Sequence, residues 1–484
     1  MMQPVWEKEQ RENVMARMGD KEALLVLTKS PPASCPLAQE LITKSDKALC
    51  KTHHYVRCHS GFYGDKKTPY LVVEWLLDGK DALERRWLLG FVFARLKMLF
   101  DVERVSCYLP AKALPLFFVM AEDFYFMHAG SDFEGHDYKG FRIFYDAKAS
   151  LPRWPKRFSH QLGYRKWIND EPDTLTSIEI GKRLQAFASS HNVSYEVLDR
   201  EELEKQGLNL LLAVGQASEK SPSRLMVLRH LVGEKDRPLT LIGKGITFDT
   251  GGINVKPFES HVNCMRNDMG GAALMAHLFM ALVASGYGGP LALIIPACEN
   301  LVAQNAMKPG AIVKSHSGKK VYIEHTDAEG RLILADAISY ADKHLRPSKM
   351  MVAATLTTAS LRQFTGYQTP VYFSEASFRE RLSKAGEAWG EKFVFWDGFL
   401  PFEVANKTKA ADLTNMGRLP QAASIGGGSA VAAHFLRSFT TTPLVHFDIF
   451  ASCWNWSGDY PGARYGATGA PFNSLFDAVM ASHQ

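Results

Sequence analysis

Cysteine is sparse and unpatterned in this chain. Seven cysteines are scattered at positions 35, 50, 58, 107, 264, 298 and 453, and no two form a Cys-x-x-Cys pair. That argues against a disulfide framework or a thiolate zinc ribbon and reads as reduced thiols in a cytoplasmic protein. No apolar run approaches the ~18 residues of a membrane-spanning helix. The first ten residues carry acids early and lack an apolar segment, so neither a secretory signal nor a transit peptide is expected. Ser482-His483-Gln484 does not form the peroxisomal tripeptide. Charge of one sign is not in excess: a net charge of +5 is mild for 484 residues, and no Lys/Arg run makes a stripe for a phosphate backbone. Neither a membrane nor nucleic acid is therefore an expected partner. Several short catalytic signatures are missing too. There is no His-Glu-x-x-His and no Gly-x-Ser-x-Gly. Gly243-Lys244-Gly245 is followed by Phe248 where a dinucleotide fingerprint needs its third glycine, and no Lys-Ser or Lys-Thr pair completes a phosphate loop.

What remains is an ordinary globular composition, 46% hydrophobic and 22% charged, in a chain long enough for two or three domains. Residues 1–160 read as a separate N-terminal α/β domain with an oligomerisation or regulatory role and no catalytic motif. Its expected strands are Ala23–Leu27, Tyr70–Trp75 and Val105–Leu109, with a helix from Asp81 to Phe100 and a polar loop from Tyr55 to Lys67. His53 and His54 read as surface residues. The basic, proline-bearing stretch Leu151–Lys156 reads as a linker. Residues 168–484 then alternate helix and strand. Thr176 with Glu179 fits a capping box, and Ile180, Leu184, Phe187 and Ala188 follow at helical spacing. Later segments include a helix from Gly270 to Ser285 and a strand from Leu291 to Ala297. Such alternation predicts a mixed, largely parallel sheet flanked by helices, with ligands at the carboxyl ends of its strands.

The stretch His325-Thr326-Asp327-Ala328-Glu329-Gly330-Arg331 lies between an apolar run, Val321–Ile323, and a buried helix start at Leu332. In an extended segment Asp327, Glu329 and Arg331 would point the same way. Two carboxylates on one face repel unless a cation lies between them, so the spacing suits metal ligation with an arginine left to hold an anion. A solvated acidic turn is the plainer alternative. A second stretch shifts the balance. Residues 243–252 read Gly-Lys-Gly-Ile-Thr-Phe-Asp-Thr-Gly-Gly, Lys256 follows, and residues 265–273 read Met-Arg-Asn-Asp-Met-Gly-Gly-Ala-Ala. Lysines and aspartates in so apolar a setting are seldom accidental, because buried charge is costly.

GKGITFDTGG, MRNDMGGAA and TDAEGRLILADA, in that order, closely resemble the signatures of the leucyl aminopeptidase (cytosol aminopeptidase) family, the M17 dinuclear metallopeptidases. The resemblance runs from about residue 168 to the C-terminus. It implies a metal-dependent aminopeptidase that removes leucine-type N-terminal residues from peptides with a free N-terminus, through a hydroxide activated by two metals. The implied ligands are Lys244, Asp249, Asp268, Asp327 and Glu329. Their chemistry agrees: four carboxylates balance two divalent cations, and oxygen and amine donors suit zinc, manganese, magnesium or cobalt. By the same resemblance Lys244 ligates as a neutral amine, whereas Lys256 keeps its charge and stabilises the tetrahedral oxyanion. Arg331 holds a bicarbonate ion as general base near a helix start. A homohexamer in the cytoplasm is also implied.

The family's first-residue pocket maps to Met265, Thr355, Thr358 and Phe450. Thr358 stands where glycine is usual, in Ala354-Thr355-Leu356-Thr357-Thr358, and Phe450 stands where alanine is usual. Both changes add volume to the expected pocket wall. Other departures are His325 for asparagine, Asn267 for alanine, and one extra residue between Lys256 and Asp268, which puts the path of the loop 258–264 in question. A different class also fits aminopeptidase-like chains: a structural or DNA-binding protein with reduced catalysis. Retention of all seven site residues argues against it.

Overall fold

The computed structural model describes residues 154–482, apart from 234, 365, 418–427 and 457–465, and before residue 154 only seven strands. These are β1 (Val5–Lys8), β2 (Glu22–Lys29), β3 (Lys51–Thr52), β4 (Val56–Tyr63), β5 (Thr68–Trp75), β6 (Arg104–Leu109) and β7 (Arg142–Tyr145). They form one mixed sheet in the order β1-β7-β6-β2-β5-β4-β3. The three expected strands fall within β2, β5 and β6. The expected loop at 55–67 is mostly strand: β4 pairs antiparallel with β5 along its whole length, His59 opposite Val72. Ladder pairing across a hairpin overrides a polar, glycine-bearing composition. The expected helix at 81–100 and His53 and His54 lie outside the described residues.

The chain groups into two compact units. The first is Met1–Ser159 with Gly386–Gly390 and Ser457–Tyr465, and the second is His160–Ala385, Glu391–Trp456 and Gly466–Gln484. The stretch expected as a linker already contains a helix start. The helix Trp154–Asn169 has Pro155 as its second residue, where a missing N–H leaves no bond unmade.

The second unit is built on β8 (Ser194–Leu198), β9 (Arg224–His230), β10 (Leu239–Gly243), β11 (Gly245–Asp249), β12 (Leu291–Asn300), β15 (Lys349–Ala354), β16 (Gln368–Tyr372), β17 (Lys392–Trp396) and β19 (Leu444–Asp448). Their order is β17-β16-β19-β15-β10-β12-β9-β8, with β11 added against β12. β19, β15, β10, β12 and β11 are mutually parallel, and β9 and β16 run antiparallel beside them. This is the mixed, largely parallel sheet that the alternation predicts.

Both faces of that sheet are covered, which explains its unbroken apolar strands. In β12, Leu291, Leu293, Ile295 and Ala297 enter one core, while Ala292, Ile294 and Cys298 enter the other, the period of two that a pleated strand imposes. The first core is closed by the helices Ser177–His191, Gly270–Ala284 and Phe472–Met480, the second by Asn209–Gly215, Gly330–His344 and Gly428–Arg437. Thr176 caps its helix as expected, its hydroxyl accepting from the Glu179 amide at 3.3 Å. Gly270–Ala284 is apolar all round because nearly all of it is buried. With the helical turns before it, it is long and apolar enough to cross a membrane, yet its most apolar window is 89% buried inside the fold. The expected strand at 321–323 is displaced from the main sheet. It lies in β14 (Lys320–Tyr322), which pairs with β13 (Ile312–Lys314) and β18 (Leu413–Thr414) in a small sheet of its own. A two-stranded ribbon, β20 (Trp454–Asn455) with β21 (Gly466–Ala467), completes the unit.

Candidate metal centre

The parallel strands end side by side. Lys244 follows β10, Asp249 closes β11, Asn300 closes β12, Thr355 follows β15 and Asp448 closes β19. Loops entering the helices Gly270–Ala284 and Gly330–His344 add Asp268 and Glu329 to the same edge.

Lys244 is wedged by its backbone. Its amide donates to the Ala353 carbonyl at 3.0 Å, and its own carbonyl accepts from Ala272 at 2.8 Å. That closeness demands glycine at 271, since a Cβ there would lie 2.2 Å from the Ala353 oxygen. The residue is 2% exposed. Its Nζ donates to Asp268 Oδ1 at 2.7 Å and to the Thr355 carbonyl at 2.9 Å, and sits 2.9 Å from Glu329 Oε1. An ammonium has three protons to give, and here each faces an oxygen. Burial alone would lower its pKa, but Asp268, Glu329 and Asp249 outweigh burial and raise it.

Lys256 reaches the cluster through a loop that folds back. The Thr250 amide donates to the Asn300 carbonyl, and the Lys256 amide to the Thr250 carbonyl, both at 2.9 Å. Lys256 Nζ then lies 2.8 Å from Asp249 Oδ2 and also pairs with Asp327 Oδ1. Burial again opposes its charge, and Asp249 and Asp327 again prevail, so its pKa is raised. Both lysines are thus ammonium ions in this arrangement. The neutral Lys244 implied by the resemblance needs another positive charge to take over its carboxylates.

Asp249, Asp268 and Glu329 are each 2% exposed, and their oxygens lie within 4.8 Å of one another. Asp327 stands outside that trio, with 26% of its side chain exposed, and joins it through Lys256. Burial pushes Asp268 well above the usual carboxylate range, with Lys244 opposing. Burial, Asp249 and Glu329 push Asp327 up to about 7. Glu329 moves the other way: burial would raise it, but Lys244 and Lys256 hold it low. Four carboxylates face two ammoniums, a formal excess of two negative charges, which Asp268 and Asp327 relieve by shifting toward their protonated forms. Asp268 Oδ2 and Glu329 Oε2 are buried with no hydrogen-bond donor among the described residues. Orphaned carboxylate oxygens beside uncompensated charge are what a divalent cation would satisfy. The five expected ligands therefore fit such ions.

One expectation about how they converge is corrected. Residues 324–329 are not extended, so alternation does not align Asp327, Glu329 and Arg331. The segment is a turn, Glu329 already has helical dihedrals, and Arg331 lies in the first helical turn. Arg331 is 7% exposed and its Nε is buried without a partner among the described residues. Burial lowers its pKa to about 10, opposed by Glu329 and Asp448, so it stays charged at neutral pH.

The loop after Lys256, whose path the longer spacing put in question, is helical. Two short 3₁₀ helices, Phe258–Ser260 and Val262–Met269, meet at His261 in the left-handed conformation, and Phe258 is 90% exposed. His325 Nδ1 accepts from the Asp327 amide at 3.2 Å and so steadies the ligand turn. Of the expected pocket residues, Met265 and Thr355 are buried, Thr358 opens the helix Thr358–Phe364 and is exposed, and Phe450 is buried with its ring 4.7 Å from that of Trp456. Thr355 Oγ1 also donates to the Asp268 carbonyl.

Sequence reasoning missed the residues that hold the ligands. Asn300 Nδ2 donates to Asp249 Oδ1 at 2.8 Å and to the Thr326 carbonyl at 3.1 Å. Asn254 and Thr326 exchange hydrogen bonds of 2.8 Å in both directions, tying the Lys256 loop to the Asp327 turn. Asn415 braces that turn through the Glu324 amide and the His325 carbonyl. A polar residue ending a buried strand, as Asn300 ends β12, is the one signal that pointed to any of these.

The fold and the site define an α/β protein with a buried carboxylate–lysine cluster, suited to divalent cations, at the carboxyl edge of its sheet. The chain belongs to the cytosol aminopeptidase family: residues 163–476 match the model of that family's catalytic domain. A probable cytosol aminopeptidase of Acidovorax ebreus is 36% identical over 342 residues, 69% of this chain and 66% of the relative. The chain thus spans just under two thirds of the length of the curated relatives it matches. The fold is shared with a cytosol aminopeptidase from Coxiella burnetii (TM-score 0.79, 22% identity, covering 99% of each chain). It is shared too with the bottromycin maturation enzyme BotP in complex with Mn (TM-score 0.77, 22% identity, covering 96% of this chain and 99% of that one).

Proposed function

We propose that this protein is a metal-dependent aminopeptidase that removes leucine-type first residues from peptides with a free N-terminus. The carrying observation is the cluster itself: four carboxylates, two ammoniums, and two buried carboxylate oxygens without donors. Lys244, Asp249, Asp268, Asp327 and Glu329 would hold two divalent cations, zinc or manganese among the candidates. Such ions supply Lewis acidity and a lowered water pKa. The protein's own groups do the rest. Lys256 carries a permanent positive charge at the edge of the cluster, where it would stabilise the oxyanion that develops on the scissile carbonyl. Arg331 keeps a buried positive charge beside a helix N-terminus, where a bicarbonate acting as general base would be held. The free α-amine of the substrate supplies the anchor that an exopeptidase needs. Met265, Thr355, Thr358 and Phe450 are assigned to the first-residue pocket. Hexamer assembly and a cytoplasmic location, both implied by the resemblance, belong to the same proposal. The reading as a catalytically reduced structural or DNA-binding protein is not favoured, because all the site residues are present.

The test compares a leucyl fluorogenic amide with its N-acetylated form. Turnover is expected only with the free amine. Equal rates on both would reject the exopeptidase assignment.

A further inference from the structure

Asp448 closes β19, is fully buried, and has no direct ion pair among the described residues. Five donors from three separate segments converge on its carboxylate instead. Oδ2 accepts from the Thr357 and Ser429 hydroxyls, each at 2.7 Å. Oδ1 accepts from the Leu356 amide at 3.2 Å, the Ser360 hydroxyl at 3.3 Å and the Phe450 amide at 3.4 Å. The network continues outward, since Ser429 Oγ accepts from the Tyr372 hydroxyl at 2.9 Å. Burial raises the Tyr372 pKa, so that hydroxyl remains a donor. Short hydrogen bonds to an ionised acceptor are the strong kind. They are also what makes a fully buried carboxylate tolerable.

Two of the three segments carry residues assigned above to the first-residue pocket. The loop after β15 touches the metal centre at Thr355, through Lys244 and the Asp268 carbonyl. It then touches Asp448 at Leu356 and Thr357, and begins a helix at Thr358. On the other side the Phe450 amide bonds to the same carboxylate, and the Phe450 carbonyl accepts from Trp456 Nε1 at 3.1 Å. Thr358 and Phe450, the two positions that depart from the family pattern, are thus one residue from, or directly at, a bond to one carboxylate.

We propose that Asp448 is a positioning residue for first-residue specificity: it fixes the Thr358 and Phe450 walls relative to each other and to the metal centre. This rests on the pocket reading above. Nothing in it requires Asp448 to touch substrate. Its carboxylate holds five donors in one geometry, and the side chains of Thr358 and Phe450 are carried by the backbone so held.

The experiment uses full-length wild type, Asp448→Asn, Ser429→Ala and the double variant Thr358→Gly with Phe450→Ala. Each is run on leucyl, methionyl and phenylalanyl fluorogenic amides, with metal content by elemental analysis and folding by circular dichroism. The readout is the leucine-to-phenylalanine ratio of kcat/KM, which is independent of the fraction of protein folded. Asp448→Asn should keep its metals and shift the ratio toward phenylalanine by about tenfold, mainly through KM, as expected when bonds to a charged acceptor are weakened. Ser429→Ala, which removes a single donor, should shift it the same way by about threefold. A purely structural role would scale all substrates together. An unchanged ratio in both single variants, with the double variant shifted, overturns the role of Asp448 and leaves the pocket standing. An unchanged ratio in the double variant overturns the pocket reading itself. If Asp448→Asn does not fold, Ser429→Ala decides alone.

Discussion

Replacing Gly330 by alanine separates local from site-level reasoning. Gly330 opens the helix Gly330–His344, and alanine is favoured over glycine in a helix by up to ~1 kcal/mol. Helix propensity alone therefore predicts a neutral or stabilising change. The site predicts the reverse. A Cβ at 330 would lie 2.5 Å from Lys244 Cε, 2.7 Å from its Nζ and 2.8 Å from its Cδ. An exposed lysine would swing aside easily. Lys244 is 2% exposed and faces Asp268, Glu329 and the Thr355 carbonyl, so it has little room to move. Overfilling a packed site costs about 1–3 kcal/mol. Removing one partner of a buried pair costs about 3–5 kcal/mol, and a partial displacement forfeits a fraction of that. After the helix gain is subtracted, a net loss of roughly 2–4 kcal/mol remains, a fall in Tm on the order of 3–6 °C for a unit of this size. Because Lys244 is an assigned ligand, metal content and turnover should fall as well. Circular dichroism melts with and without chelator, alongside elemental analysis, make the measurement. A Gly330→Ala protein that melts at or above the wild-type temperature with full metal content would refute the reasoning.

Three further outcomes are expected. Chelation should abolish turnover, and manganese, cobalt or zinc should restore it; full activity in protein shown by elemental analysis to be metal-free would contradict the site assignment. Lys256→Ala should keep its metals but lose about 10²–10³ in turnover, the usual consequence of removing an oxyanion donor, and near wild-type turnover would remove Lys256 from that role. Asn300→Ala, which removes one of the two donors to Asp249 Oδ1, leaving the Gly251 amide at 2.8 Å, and unties the Thr326 carbonyl, should weaken metal binding by about 10–100-fold; unchanged affinity in a metal titration would mean that the Gly251 amide alone holds Asp249 well enough.

Most of the second unit was legible because its strands and helices carry strong, one-period patterns. The buried run of β12 and the capped helix at Thr176 are cases where local preference and tertiary burial agree. Legibility failed where the deciding partner is far along the chain. The helix Asn209–Gly215 has no local side-chain cap; its Leu210 and Leu211 amides donate to Asp336, more than a hundred residues later. Composition cannot announce such a cap. β4 was hidden for a similar reason, since its strand character comes from pairing with β5. At the site, charged ligands stood out because charge is costly in an apolar context. The amides and hydroxyls that hold them, Asn254, Asn300, Thr326 and Asn415, did not, because neutral polar residues are common in loops for many reasons.

The exposure gradient across the cluster also supports giving the two lysines different tasks. Side-chain exposure is 3% at Lys244, Asp268 and Asp249, 10% at Lys256 and 26% at Asp327. The cluster therefore opens toward solvent on the Lys256–Asp327 side. A substrate reaching it from that side meets Asp327 and Lys256 before Lys244. Lys256 hangs from a loop that returns through one backbone hydrogen bond to Thr250, and its ammonium leans on two carboxylates that divalent cations would otherwise engage. Once those carboxylates are engaged elsewhere, its charge is free to turn to an incoming carbonyl at small cost. Lys244 has no such freedom. Its backbone is locked between β15 and the helix Gly270–Ala284, and its amine faces oxygens already fixed in the wall. A group so confined can act on a cation held between those oxygens but cannot follow a substrate. The division of labour proposed for the two lysines thus agrees with where the chain anchors each of them, the inner one by the sheet and the outer one by a loop.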